Sequence, residues 1–328
     1  MRPTLWLPLL LLLLAGTGLS LALGPQGFDL ELMWRGLTGA GSEADRLIVV
    51  ELRLPRTLLA ILIGGGLALA GAALQGFLRN PLGEPGIFGI SGAAALGAVL
   101  ALYGGLTTAL PLALPLAGLT GAALAVGLVL LLAGRQASTL GLVLAGVAVS
   151  ALSGALTSLA LNLAPSPFAV LEIVFWLLGS LADRSLDHLW LAGPFILVGG
   201  VLLLLLGRTL DGLTLGEDAA QSLGLPLGRA RLLLLAGAGL VVGAATAIAG
   251  AIGFVGLVVP HLLRPLCGQL PSRLLPASAL GSAVLLLWAD IATRLFPPIT
   301  ELKLGVVTAL LGAPFFLWLV VKLRREAR

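Results

Sequence analysis

RLPRTLLAILIGGGLALAGAALQGFLRNPLGEPGIFGISG, residues 53–92, is the stretch of sequence that decides the fold. Two arginines flank a proline, and the uncharged run 57–78 that follows is long enough to cross a bilayer at about 20 residues per span. Its glycine and alanine content lets neighbouring helices approach closely. The Arg79-Asn80-Pro81-Leu82 segment then breaks the helix, because proline lacks an amide donor and restricts the residue before it. A second apolar run begins at Gly86, so the stretch predicts a membrane helical hairpin with a short polar elbow.

Composition extends this prediction to the whole chain. Of 328 residues, 59% are hydrophobic and only 10% are charged, whereas a soluble domain carries about 25% charged residues. An all-α, polytopic membrane protein is therefore expected. The single cysteine, Cys267, excludes an intrachain disulfide and is expected to be a packing residue. Two histidines and one cysteine far apart predict no metal site, and the basic balance indicates charges on one side of a membrane, with no nucleic-acid partner.

The apolar runs predict ten spans. They cover 5–23, 57–78, 86–103, 110–133, 140–161, 189–206, 232–249, a shorter eighth helix ending near 267, 274–289 and 304–321. The first run could also be a cleaved signal peptide, but its length suits a span and no strong small-x-small cleavage site follows. The segment 24–51 is expected to be a polar loop with room for a short surface helix. The mixed segment 162–187 is typical of an interfacial helix with an aromatic anchor.

Two interior segments contain residues that are expected to start or end helices. The segment 209–231 is the most polar, and Thr214 is expected to cap a short helix that begins near Gly216 and carries acids in its first turn. Gly224 and Pro226 would end that helix. The uncharged run 232–260 is too long for one span, so we expect a full span to about 249 and a tight glycine turn before the eighth helix.

Ten spans place both termini on one side. With the termini in the cytoplasm, twelve Lys and Arg residues lie inside and seven outside, while five acids lie inside and ten outside. The asymmetry supports this orientation by the positive-inside tendency. It also leaves Arg53, Arg56 and Arg294 as outer-face exceptions that need a reason.

The uncharged runs hold no Asp, Glu, Lys or Arg at mid-depth, and Gln75 is their main polar side chain. Ion-coupled carriers usually keep ionisable groups there, so the absence argues against a secondary transporter. Backbone carbonyls alone can bind sodium or form a channel filter, so these two alternatives stay open. The sequence has no phosphate-binding Gly-x-x-x-x-Gly-Lys-Ser/Thr motif, and the glycines of 64–66 serve helix packing. If transport is ATP-driven, another chain hydrolyses the ATP.

Four blocks of the sequence resemble one family. They are 53–98, LVLAGVAVSAL at 142–152, LGEDAAQSLGLP at 215–226, and 253–320, which includes GFVGLVVPHLLRPL and ELKLGVVTALLGAPFFLWLV. The chain resembles the FecCD-type permease subunits of bacterial ABC importers for iron-siderophores, haem and cobalamin. The resemblance implies a type II importer permease fold of ten spans in a single domain, 1–328, with a cytoplasmic coupling loop at about 209–231.

The resemblance also implies partners and a location. We expect a second permease copy or a paralogue, two cytoplasmic ABC ATPase subunits and an extracytoplasmic substrate-binding protein, all assembled on the bacterial cytoplasmic membrane. The pathway would lie on the dimer axis, lined partly by spans five and ten. The chain would perform no bond chemistry and bind no cofactor directly, because ATP and magnesium would sit in the ATPase subunits.

Site residues follow from the same resemblance, each beside a plainer alternative. The coupling helix would comprise Glu217, Asp218, Ala219, Ala220, Gln221, Ser222 and Leu223, or else be a solvated connecting helix. The docking residues for the binding protein would be Arg53, Arg56 and Arg294, or else these would form local ion pairs such as Asp290 with Arg294. The cytoplasmic gate would include Ser138 and Thr139, or else these would cap a helix.

His261, which matches a family position, and the elbow residues are the remaining candidates. His261 is expected to be structural rather than a ligand, and the elbow residues Asn80, Pro81 and Glu84 either touch the ATPase or simply break the helix. We do not expect the sequence of this chain to identify the cargo, since a weakly polar pathway leaves the selection of the cargo to the binding protein. A membrane scaffold without transport activity is the third reading of the chain, besides an importer and an ATPase-independent carrier or channel.

Overall fold

The fold is described by a computed structural model, which covers residues 5–24, 27–110, 112–134, 139–295 and 302–326. Within these ranges the chain is almost entirely helical, which confirms the all-α prediction. The helices are α1 Trp6–Ala22, α2 Leu30–Thr38, α3 Glu43–Arg46, α4 Leu54–Leu78, α5 Ile90–Tyr103, α6 Leu106–Ala109, α7 Ala113–Ala133, α8 Thr139–Asn162, α9 Pro167–Leu177, α10 Leu186–Leu204, α11 Gly207–Leu213, α12 Glu217–Ser222, α13 Leu227–Ala249, α14 Val255–Leu263, α15 Pro271–Arg294 and α16 Leu304–Glu326. A π-helical segment, Leu47–Arg53, precedes α4, and 3₁₀ turns occupy Pro85–Phe88 and Arg264–Cys267.

Seven of the described helical segments are long and apolar enough to cross a membrane. They correspond to predicted spans two, four, five, six, seven, nine and ten. The shorter apolar helices α1, α5 and α14 correspond to spans one, three and eight, and α9 corresponds to the predicted interfacial helix. The helix count therefore agrees with a ten-span permease, with three spans built from shorter helices.

The described part of the segment 24–51 has more secondary structure than the predicted polar loop. Two short strands, β1 Leu23–Gly24 and β2 Gly27–Phe28, pair antiparallel, and α2 follows. Ser42 and Asp45 form a capping box that starts a helix running without interruption over Glu43–Leu78, 36 residues. The π-helical segment lies just before Pro55. Because proline cannot donate and its ring collides with the preceding turn, the widened π turn lets the helix pass it.

Helices α4, α13 and α15 form the core of the molecule. The buried share of their most apolar stretches is 78%, 72% and 67%, against 22% for α7 and α16. Glycine explains how closely they approach, as predicted from residues 53–92. A Cβ atom on Gly71 would lie 1.9 Å from the carbonyl oxygen of Gly256 on α14, and one on Gly64 would lie 2.5 Å from that of Ser282 on α15.

Helices α5 and α14 both begin inside the bundle. A Cβ on Gly146 would lie 2.5 Å from the carbonyl oxygen of Ile87, just before α5. Gly146 is seven residues into α8, about 10 Å along its axis at 1.5 Å per residue. The elbow thus re-enters the bundle before α5 starts. The predicted glycine turn before α14 is confirmed, with Gly250 at φ 72° and Phe254 at φ 65°.

Candidate functional site

Two regions hold the predicted site residues, and we name them by the predicted orientation. The outer end is where α1 and α15 finish, and the inner end is where α8 and α13 start. The outer end holds the three predicted docking arginines. The inner end holds the predicted coupling helix and gate.

At the outer end one carboxylate joins two of the arginines. Arg56 Nε donates to Asp290 Oδ1 at 2.9 Å and to Oδ2 at 3.0 Å, and a second guanidinium nitrogen lies 2.9 Å from Oδ1. Arg294 donates to Asp290 Oδ2 from Nε at 3.1 Å and from a terminal nitrogen at 2.5 Å. The Asp290 side chain is 0% exposed, against 19% for Arg56 and 10% for Arg294. The acid therefore holds α4 and α15 together at this end.

Arg53 completes this outer cluster without a carboxylate. Its guanidinium donates to the carbonyl oxygens of Leu21 and Ala22 at 2.8 and 2.9 Å, at the end of α1. Arg294 also reaches α1, donating to the carbonyl oxygen of Ser20 at 2.8 Å. The arginines thus tie α1, α4 and α15 together. The local ion pair between Asp290 and Arg294 is present, while docking of a binding protein by these arginines stays a prediction.

At the inner end the coupling helix contacts the gate region directly. Thr139 Oγ1, at the start of α8, donates to Glu217 Oε1 at 2.8 Å. Glu217 and Asp218 lie in the first turn of α12, as expected. The expected cap is wrong, because Gly216 is the N-cap and Thr214 Oγ1 instead donates to the carbonyl oxygen of Asp211 at 2.6 Å. The other gate residue, Ser138, lies outside the described residues.

Further hydrogen bonds fix the coupling helix and the loop around it. Ala220 is fully buried, and its carbonyl oxygen accepts from the amide of Leu225 at 3.1 Å across Gly224, whose φ is 74°. Asp211 Oδ1 accepts from the amide of Ser272 at 2.8 Å, at the start of α15. The coupling loop therefore contacts the inner ends of two membrane helices. The exposed residues of α12 and its C-cap are Glu217, Asp218, Gln221, Ser222 and Leu223.

Sequence reasoning missed how the elbow is used. Asn80 Oδ1 accepts from the amide of Leu82 at 2.9 Å, which makes a local turn of the kind expected for a helix break. Glu84 Oε1 instead accepts from the amide of Phe254 at 2.9 Å and so satisfies the start of α14. The expected contact of Asn80, Pro81 and Glu84 with an ATPase stays a prediction.

The polar Gln75 also has a partner that the sequence did not indicate. Its side chain is 0% exposed, and its Oε1 accepts from a terminal nitrogen of Arg264 at 2.6 Å. His261 packs edge-on against Phe315 at a ring distance of 5.8 Å, joining α14 to α16. Both contacts join residues that are far apart in sequence, so no local pattern indicates them.

In the ranges that the structure covers, no three His, Cys, Asp or Glu side chains cluster as metal ligands would, and Cys267 is buried.

This arrangement of membrane helices, with a short helix in contact with their inner ends, agrees with a transport permease. The chain belongs to the FecCD transport family, whose model matches residues 11–322. It is 41% identical over 326 residues to the vitamin B12 import system permease protein BtuC of Salmonella typhimurium, across 99% of this chain and 97% of that protein. The BtuC protein of Salmonella typhi is similar to the same extent.

A solved structure is similar along the whole fold. A metal-chelate type ABC transporter in an inward-facing conformation superimposes with a TM-score of 0.87 at 34% identity, across 98% of this chain and 100% of that chain. The type II importer permease fold is thereby confirmed. The family and these relatives make the chain a multi-pass inner-membrane permease of the ABC importer class.

Proposed function

We propose that this chain imports cobalamin or an iron chelate across the cytoplasmic membrane, driven by ATP hydrolysis in separate subunits. The whole chain, 1–328, would form one permease domain, paired with a second copy. Two cytoplasmic ATPases and an extracytoplasmic binding protein would complete the importer. Both termini would lie in the cytoplasm. Among the candidate cargoes, the similarity to vitamin B12 permeases favours cobalamin, and iron-siderophores and haem follow only from the wider family.

The hydrogen bond between Glu217 and Thr139 is the observation that best supports coupling of an ATPase to the membrane helices. A 2.8 Å hydrogen bond joins a short helix on the inner side to the first residue of α8. Movement of an ATPase surface against α12 would therefore reach a membrane helix through one contact. The coupling residues Glu217, Asp218, Ala219, Ala220, Gln221, Ser222 and Leu223 would receive this movement. Ser138 and Thr139 would form the cytoplasmic gate that it opens.

The outer arginine cluster is proposed to dock the binding protein. The cluster holds three guanidinium groups and one hydrogen-bonded carboxylate. Asp290 accepts from Arg56 and Arg294, while Arg53 donates to backbone carbonyl oxygens. Excess positive charge steers association with an acidic partner. Association rates with an immobilised binding protein should fall with salt and fall further in Arg53→Gln. Exposed Arg46→Gln, on α3, is the matched control and should bind as the wild type does.

Reconstitution in liposomes tests the proposal as a whole. The permease, a candidate ATPase and a binding protein are combined, and ATP hydrolysis is followed with uptake of cobalamin, a ferric siderophore and haem in parallel. Cargo-stimulated hydrolysis with uptake of one cargo supports the importer and identifies what it carries. Flux driven by an ion gradient without an ATPase would contradict it and favour a secondary transporter or channel. No flux under any condition would favour a scaffold.

A further inference from the structure

A small cavity with charged residues in its lining lies at the outer end, apart from the arginine cluster and the coupling helix. Its volume is about 160 Å³, and it is lined by Phe175, Trp176, Ser180, Ala182, Asp183, Arg184 and Lys303. One water takes about 30 Å³ of liquid volume, so the cavity has room for about five waters or one carboxylate or phosphate group.

The walls of this cavity are fixed by backbone hydrogen bonds. The amide of Ser180 donates to the carbonyl oxygen of Ala249 at 2.8 Å, at the end of α13. The amide of Gly305 donates to the carbonyl oxygen of Gly179 at 3.2 Å, at the start of α16. The loop between α9 and α10 is therefore held between two membrane helices, and the cavity is preformed.

Two of the residues that line the cavity carry a hydrogen-bond donor without an acceptor. Trp176 Nε1 and Arg184 Nε are buried and have no hydrogen-bond partner in the part of the chain that the structure covers. Both groups can only donate. The Ser180 hydroxyl oxygen accepts from the amide of Ala182 at 3.1 Å, so its hydrogen can serve as a third donor. The lining thus supplies donors to a molecule that accepts hydrogen bonds.

The lining of the cavity also carries charged side chains. Arg184 and Lys303 are basic, and Asp183 is the one acid among the lining residues. Burial lowers the pKa of Arg184 from its ordinary value, and the neighbouring carboxylate of Asp183 opposes this only in part. A desolvated guanidinium gains most from a charge-assisted hydrogen bond to an anion.

We propose that this cavity binds one oxyanion group, a carboxylate or a singly charged phosphate, through Arg184 and the indole N–H of Trp176. The group could belong to a soluble anion that approaches from the outer side, or to the headgroup of a phospholipid in the outer leaflet. The chemistry of recognition is the same for both. The proposal does not rest on the transport function.

The first test uses the full chain in a phosphate-free detergent. Melting is followed as inorganic phosphate or acetate replaces chloride at constant ionic strength, near pH 6, where phosphate is mainly singly charged. We expect a saturable rise in the melting midpoint. Its half-saturation concentration should increase about tenfold or more in Arg184→Gln, because a charge-assisted contact is lost. Arg184→Lys should restore most of the effect, and exposed Arg46→Gln should match the wild type.

The second test separates the lipid source from the soluble one. The chain is purified from membranes that contain phosphatidylglycerol, and native mass spectrometry counts retained lipid. A lipid that stays with the wild type but leaves in Arg184→Gln assigns the site to a headgroup. A phosphate response without retained lipid assigns it to a soluble anion.

One variant keeps the proposal testable if Arg184→Gln does not fold. Trp176→Phe keeps the ring and removes only the indole N–H, so it should weaken the phosphate response severalfold. If the wild type shows neither a phosphate or acetate response nor retained lipid, the cavity holds only water and the proposal is wrong. The same conclusion follows if both variants respond as the wild type does.

Discussion

Replacing Asp290 should destabilise the protein more than replacing almost any other acid. Its carboxylate is 0% exposed and accepts from two guanidinium groups that are themselves 19% and 10% exposed. Removal of one partner of a buried ion pair costs about 3–5 kcal/mol, because the remaining charge is left uncompensated. Asp290→Ala leaves both arginines without their acid, so we expect the upper half of this range. Asp290→Asn keeps one acceptor oxygen, and we expect about half of that cost.

The assay is reversible unfolding of the purified permease in mixed micelles, with helix content followed by circular dichroism. Glu172→Gln is the matched control, since it removes an exposed outer-end acid on α9. That change should stay within about 0.5 kcal/mol of the wild type.

A double-mutant cycle sharpens the same prediction. Asp290→Ala should cost less in a background that already carries Arg56→Ala, because the two side chains share one interaction. We expect a coupling energy of about 1.5–3 kcal/mol for this charge-assisted contact. Additive costs, or an Asp290→Ala protein as stable as the control, would refute the reasoning.

Three other changes test separate parts of the molecule. Thr139→Val removes the donor to Glu217, and we expect reconstituted importer to hydrolyse ATP while uptake per ATP falls severalfold. Gly71→Ala places a Cβ 1.9 Å from a backbone oxygen of α14, and overpacking of this kind costs about 1–3 kcal/mol or more. Gln75→Leu leaves the arginine at the inner end of α14 without its acceptor, at a cost of about 1–3 kcal/mol. Unfolding midpoints measure the last two.

Each of these has an outcome that would contradict it. An unchanged ratio of uptake to hydrolysis in Thr139→Val would mean that this hydrogen bond carries no coupling. Gly127→Ala is the control for the glycine, because a Cβ there meets nothing within 4 Å. If Gly71→Ala and Gly127→Ala have the same unfolding midpoint, the close approach of α4 and α14 does not require glycine at position 71. A Gln75→Leu protein of wild-type stability would show that the arginine finds another acceptor.

Much of the fold could be predicted from the sequence because its signals are local. The apolar runs mark the long helices, Pro81 and the glycines mark the breaks, and Gly224 ends the coupling helix. The shape of the segment 24–51 could not be predicted. Its helix depends on a capping box at Ser42 and on a π turn that carries the chain past Pro55.

The pairing of the site residues lies beyond local reasoning. Arg56 and Asp290 are 234 positions apart, and Glu84 and Phe254 are 170 positions apart. Spacing in one sequence does not reveal such contacts, because they depend on how helices are arranged around α4. The acid beside Arg294 was indicated by its i, i+4 spacing, while the arginine across from it was not. The contact between Glu217 and Thr139 joins two regions that the family resemblance had marked separately.

Helix α4 carries Arg56 near its outer end, and its C-cap Arg79 closes the inner end. Its 25 residues form a rod of about 37 Å at 1.5 Å per residue. Rotation of such a rod by about 5° around its midpoint displaces each end by about 1.6 Å, in opposite directions. A binding protein docked on the outer arginines and an ATPase in contact with the inner elbow would therefore both act on α4. A displacement of α4 at one end would then also displace its other end.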